Sequence, residues 1–123
     1  MAKKILLSFD VEEFDIPEEF LQKKGLKPEI ILALSGNLGA KVSEKEKFGI
    51  SKLGLERILA LLDKLNIRAT FFTTASFALQ NKKLVKMLSK KHEVASHGYN
   101  HCKLAVADIK KSREILEKIT GKK

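Results

Sequence analysis

Three short runs suited to β-strands, each followed by a longer stretch with helical periodicity, constrain this chain more than any other feature. Residues 5–9, Ile5-Leu6-Leu7-Ser8-Phe9, form an almost continuous apolar run that ends in acidic residues, the pattern of a strand buried in a parallel sheet. Residues 68–74 are rich in aromatic and β-branched side chains and read as a second strand. Glu93-Val94-Ala95-Ser96 is a short third. Between the first two, Ser51 is placed to cap a helix in which Leu55, Ile58, Leu59, Leu62 and Leu65 recur at spacings of three and four, with Asn66 ending it. Residues 76–91 return to helical spacing through Leu84, Val85 and Leu88. A last amphipathic segment passes through Ile109, Leu116 and Ile119 and closes at Gly121, a suitable C-terminal cap. Strands alternating with helices imply parallel strands joined by right-handed crossovers, so the expected class is α/β.

The length of 123 residues fits one domain, residues 1–123. Residues 13–50 break the alternation: Pro17, Gly25, Pro28, Gly36, Gly39 and Gly49 punctuate an irregular insertion, within which residues 28–34 suit a short helix or a strand equally. The net charge of +9 comes almost wholly from dispersed lysine, with guanidinium groups only at Arg57, Arg68 and Arg113. Nucleic-acid surfaces favour clustered arginine with interleaved aromatics, so the lysines read as a solvated surface and no nucleic-acid partner is expected. Cys102 is the only cysteine; an intrachain disulfide is therefore impossible, and the thiol reads as packed under a loop. The apolar run after Lys3 and Lys4 is too short for a signal peptide, and no stretch approaches a membrane span. The expected location is cytoplasmic, with no membrane partner.

Reactive groups in α/β folds collect at the carboxyl ends of the strands, where loops converge on a ligand. Asp10 and Glu12 close the first run on either side of Val11, so an extended backbone aims both carboxylates to one side. His97 and His101 follow the third. Their spacing brings two imidazoles to one face of a helical turn, near enough to share an ion. Taken singly, each pair has a bland alternative: strand-end carboxylates paired with lysines, or His97 capping a strand with His101 solvated. Their shared position at strand ends favours one divalent-metal site.

Ser8-Phe9-Asp10-Val11-Glu12 resembles the first motif of the polysaccharide deacetylase family, the NodB-homology domain, in its Asp-x-Glu form. Ala69-Thr70-Phe71-Phe72 is similar to that family's second strand, and His92-Glu93-Val94-Ala95-Ser96-His97-Gly98-Tyr99-Asn100-His101 to its histidine motif. The similarity runs over residues 4–121, interrupted at residues 20–48. It implies a metal-dependent hydrolase that removes acetyl groups from N-acetylated carbohydrate. By position, Glu12, His97 and His101 are the implied ligands of a divalent ion, zinc first with cobalt or nickel as alternatives. Asp10 is the implied general base. The commonest family motif has adjacent aspartates where this chain has Asp10-Val11-Glu12, which leaves an exchange of the two roles open. His92 resembles a family residue that is not a ligand and reads as structural; Tyr99, between the histidines, reads as shaping the loop, with a substrate contact as the alternative, and Thr73 and Thr74, at the end of the second strand, are candidates for hydrogen bonds that support the ligands.

The resemblance further implies the N-terminal portion of a distorted (β/α) barrel, about three βα units, ahead of the family's later arginine, oxyanion and general-acid motifs. A half barrel exposes a strand edge and an apolar sheet face, so a homo-oligomer or a complementing chain is expected. Two alternatives accompany the deacetylase reading: a non-catalytic metal-binding or interaction remnant of the fold, and hydrolysis of a cyclic amide in the manner of allantoinases.

Overall fold

The computed structural model describes residues 4–14, 43–100 and 105–123. Their elements are β1 (Ser8–Val11), α1 (Glu44–Leu65), β2 (Thr70–Thr73), α2 (Ala75–Gln80), α3 (Lys82–Leu88), β3 (Glu93–Ser96) and α4 (Val106–Thr120). The strands form one parallel sheet in the order β1-β2-β3, which bears out the α/β class. A sheet whose order follows the sequence, with right-handed crossovers, carries its connecting helices on one face. The core lies there. Val11 and Phe71 from the strands meet Leu55, Leu59 and Leu62 of α1, Phe77 of α2, Val85 and Leu88 of α3, and Leu116 of α4. Phe9 stacks on Phe71 with ring centroids 5.3 Å apart. The other face carries Asp10, Phe72 and Ala95, which are in register across the three strands. Adjacent phenylalanines therefore have opposite fates: Phe71 is 0% exposed and Phe72 38%.

Several boundaries differ from the sequence expectation, each for a local reason. β1 starts at Ser8 rather than at Ile5, because its partner β2 begins at Thr70, opposite Ser8. Ile5 and Leu6 lie before the ladder and are 88% and 95% exposed. α1 starts at Glu44 rather than after Ser51, so the last part of the stretch read as irregular is helical. Its start is a capping box: Glu46 N–H donates to Ser43 Oγ at 3.3 Å, and Ser43 N–H donates to Glu46 Oε2 at 2.9 Å. The Ser43 hydroxyl, which donates to Glu46 Oε2 at 2.7 Å, and then the Ser43 N–H hold the Glu46 carboxyl below its ordinary pKa. Gly49, read as a breaker, sits inside the helix, where one glycine weakens a long helix without ending it. Leu65, placed on the buried stripe by spacing, is exposed in the last turn. Asn66 ends α1 as expected, in the left-handed conformation at φ 53°.

The single helix expected over residues 76–91 is two. Asn81, at φ −126° and ψ 40°, interrupts it. Both its backbone N–H and its side-chain Nδ2 donate to the Phe77 carbonyl, at 3.0 and 3.2 Å, so a side chain competes locally with the helical ladder. α4 ends as expected, with Gly121 at φ 74° donating its N–H to the Glu117 carbonyl at 2.8 Å. Its buried positions are Ser112 and Leu116, while Ile109 faces outward. Residues 28–34 and Cys102 lie outside the described residues. Among the described residues no helix is long and apolar enough to cross a membrane.

Candidate functional site

Val11, Thr73 and Ser96 are in register, so Glu12 and His97 are the next residues along the two outer strands. The ladder continues one step beyond the strands: Thr74 N–H donates to the Val11 carbonyl at 2.9 Å and His97 N–H to the Thr73 carbonyl at 3.0 Å. The ends of β1 and β3 are thus held level on either side of β2, and their side chains meet over its carboxyl end. His97 Nε2 lies 3.0 Å from Glu12 Oε2, and His97 Nδ1 lies 4.0 Å from Asp10 Oδ1. Glu12 and His97 are about equally shielded, whereas the Asp10 side chain is 63% exposed on the open sheet face.

The loop carrying His97 is anchored on both sides. Ala75 N–H donates to the Gly98 carbonyl at 3.0 Å and Ser76 N–H to the Tyr99 carbonyl at 2.8 Å, which satisfies two donors at the start of α2. From α4, Ser112 Oγ donates to the Gly98 carbonyl at 2.8 Å and lies 2.7 Å from Ser96 Oγ. Gly98 takes φ 88°, a left-handed value that glycine adopts without steric cost. Residues 97–100 are consequently not helical, so the helical turn inferred from the His97 and His101 spacing is absent over them. His101 itself lies outside the described residues. Tyr99 does shape the loop, through its carbonyl and through its ring, which lies 4.1 Å from Lys111 Nζ.

The supporting residues divide unevenly. Thr73 is buried on the helix-covered face and its hydroxyl donates to the Phe71 carbonyl at 3.2 Å, so the expected support of the ligands by its side chain does not hold. Thr74 reaches the site indirectly. Its Oγ1 donates to Glu13 Oε2 at 3.0 Å, and Ser76 Oγ donates to the same oxygen at 2.7 Å. Glu13 and Ser76 were not expected to take part, because no local pattern links residues so far apart in sequence. His92 is structural, as expected: it is buried, its Nδ1 accepts from Ala69 N–H at 3.3 Å, and it packs edge-on against Phe71.

The donor set can be tested against a divalent ion. Two ligands each about 2.1 Å from one ion lie about 3.4 Å apart at the tetrahedral angle that zinc prefers. The 3.0 Å between Glu12 Oε2 and His97 Nε2 is the length of a direct hydrogen bond and must open by a few tenths of an ångström to admit the ion, and carboxylate with imidazole suits a borderline ion such as zinc. No group of three or more His, Cys, Asp or Glu side chains close enough to hold an ion occurs among the described residues, a set that does not include His101.

A family model for polysaccharide deacetylase matches residues 52–123, more than half of the chain. The chain belongs to the polysaccharide deacetylase family. In this deacetylase-family chain the matched stretch contains β2, β3, His97 and His101. Asp10 and Glu12 precede it, and the parallel register of β1 on β2 joins them to it. An uncharacterized protein of Bacillus subtilis (strain 168), YlxY, is 34% identical over 65 residues, which make up 52% of this chain and 20% of that protein. Among solved structures, the PuuE allantoinase superposes with a TM-score of 0.62 at 18% identity, over 96% of this chain and 43% of that one. A probable polysaccharide deacetylase from Pseudomonas aeruginosa PAO1 superposes with a TM-score of 0.57 at 21% identity, again over 96% and 43%. The deacetylase-family chain spans a fifth of the curated relative and less than half of these solved chains. Their likeness shows its fold, a portion of a (β/α) barrel, in agreement with the sequence expectation.

Proposed function

We propose that this chain carries the metal-binding part of a deacetylase-type hydrolase that cleaves the amide of N-acetylated carbohydrate. The observation that supports it most is the 3.0 Å approach of Glu12 to His97 across the end of β2, in a member of this family. In this reading Glu12, His97 and His101 hold a divalent ion, with zinc the first choice and cobalt or nickel as alternatives. When bound, the ion polarises the amide carbonyl and makes water a better nucleophile. Asp10 acts as general base. Its separation from His97 Nδ1 exceeds hydrogen-bond length, and its carboxylate faces the open side of the sheet, where water and substrate arrive. Glu12, which is more shielded and sits on Nε2, suits the ligand role, and this favours the assignment over its exchange.

The test pairs metal binding with turnover. Wild type is expected to retain zinc on dialysis and to deacetylate chitooligosaccharides, Asp10→Asn to retain zinc without turnover, and Glu12→Gln and His97→Ala to lose zinc. A wild type that retains no zinc overturns the proposal; one that retains zinc without turnover favours the non-catalytic alternative. Self-association belongs to the same proposal, supported by Ile5 and Leu6, which are exposed ahead of β1. Sedimentation equilibrium is expected to show a species heavier than the 13.8 kDa monomer, and Leu6→Lys to shift it toward the monomer.

A further inference from the structure

The corner between β2 and α2 touches both halves of the site at once. Its backbone holds the His97 loop, because Ala75 and Ser76 N–H donate to the Gly98 and Tyr99 carbonyls at 3.0 and 2.8 Å. Its side chains hold the residue next to Glu12, because Thr74 and Ser76 hydroxyls both donate to Glu13 Oε2, at 3.0 and 2.7 Å. The two hydroxyls also meet, with Ser76 Oγ 3.2 Å from Thr74 Oγ1, and Thr74 Oγ1 accepts from Phe77 N–H at 3.3 Å. Ser76 thus spans the corner: its amide faces the β3 loop and its hydroxyl faces the end of β1.

From this geometry we infer that Glu13 is a positioning residue that sets the Glu12 carboxylate opposite His97, with Thr74 and Ser76 as its anchor. The inference rests on the metal reading given above. Beyond Val11 the β-ladder ends, and the backbone is next held at Phe14, whose N–H donates to the Lys47 carbonyl at 3.2 Å; Glu13 lies between these two points, beside Glu12. A carboxylate accepting two hydroxyl donors from a corner that also carries the β3 loop supplies a restraint there, since the outer strand ends are then referred to one rigid element. Truncating Glu13 leaves all proposed ligands in place yet releases their spacing.

The test uses the full chain and zinc alone, measured by competition with a chromophoric chelator, with the cobalt(II) absorption spectrum as a second readout. Glu13→Ala is expected to bind zinc about tenfold or more weakly than wild type and to alter the cobalt spectrum. Glu13→Gln, whose carbonyl oxygen still accepts from both hydroxyls, is expected to restore most of the affinity. Ser76→Ala, which removes the shorter donor, is expected to give an intermediate loss and serves in place of Glu13→Ala should that variant fail to fold. Circular dichroism and thermal unfolding of the metal-free proteins separate spacing from stability. A folded Glu13→Ala, or a folded Ser76→Ala in its place, with wild-type zinc affinity overturns the inference while leaving the metal reading intact. A wild type that binds no zinc overturns both.

Discussion

His92 shows how one side chain can be structural within a motif whose other histidines suggest chemistry. Its Nδ1 must keep a lone pair to accept the Ala69 N–H, and burial pushes its pKa below the ordinary 6.5, against a smaller opposing influence from Asp63. The folded-state pKa therefore lies below the unfolded one, and the unfolded chain takes up the proton first as pH falls. Stability from this residue is fully present well above 6.5 and declines as pH drops from there toward the folded-state value. His92→Leu is expected to be less stable than wild type at pH 8 by about 1–3 kcal/mol, because the Ala69 N–H loses its acceptor. Urea unfolding of both proteins should show that gap narrowing as pH is lowered below neutrality; a gap that stays constant would count against a buried neutral imidazole. His92 was legible as structural from its place ahead of β3, but its hydrogen-bond partner was not, because Ala69 belongs to a different strand connection.

At the scale of elements, the ends of the helices are their most testable feature. Gly49 and Gly54 lie within α1, and an added Cβ at either position meets open space. Alanine at each is expected to raise stability by about 0.5–1 kcal/mol through reduced backbone freedom in the unfolded chain. Gly121 is the contrasting case. A Cβ there also meets nothing, but φ is 74°, so Gly121→Ala is expected to lower stability by about 1–2 kcal/mol. Denaturant midpoints of the three variants check both signs. Ser43→Ala removes the cap of α1 and is expected to cost about 0.5–2 kcal/mol in the same assay. The C-terminal ends at Asn66 and Gly121 were readable because a left-handed cap selects its residue type. The start of α1 lies upstream of Gly49, which reads as punctuation in the sequence; the spacing of Ser43 and Glu46, that of a capping box, marks it instead.

For the whole molecule, the partition of the sheet into a covered and an open face decides what each strand residue does. Phe71 and Phe72 are chemically identical neighbours, yet the hand of the crossovers brings every helix against the Phe71 side. Phe71→Ala is expected to cost about 3–5 kcal/mol, as for a buried aromatic, and Phe72→Ala less than about 1.5 kcal/mol. Equal costs in urea unfolding would mean that the open face is covered in solution. That same face carries Asp10, so the proposed general base stands on the surface that contributes least to the core.

The sequence by itself determined the alternation of strands and helices, the α/β class and the strand ends at which Asp10, Glu12 and His97 stand, because periods of two and 3.6 residues follow from backbone geometry within a few residues. Tertiary structure alone decided which of two phenylalanines is buried, where Asn81 breaks a helix, and that Glu13 meets Thr74 and Ser76 while Glu12 meets His97. Those outcomes depend on register and on the hand of the crossovers, which bring together groups that no local pattern relates.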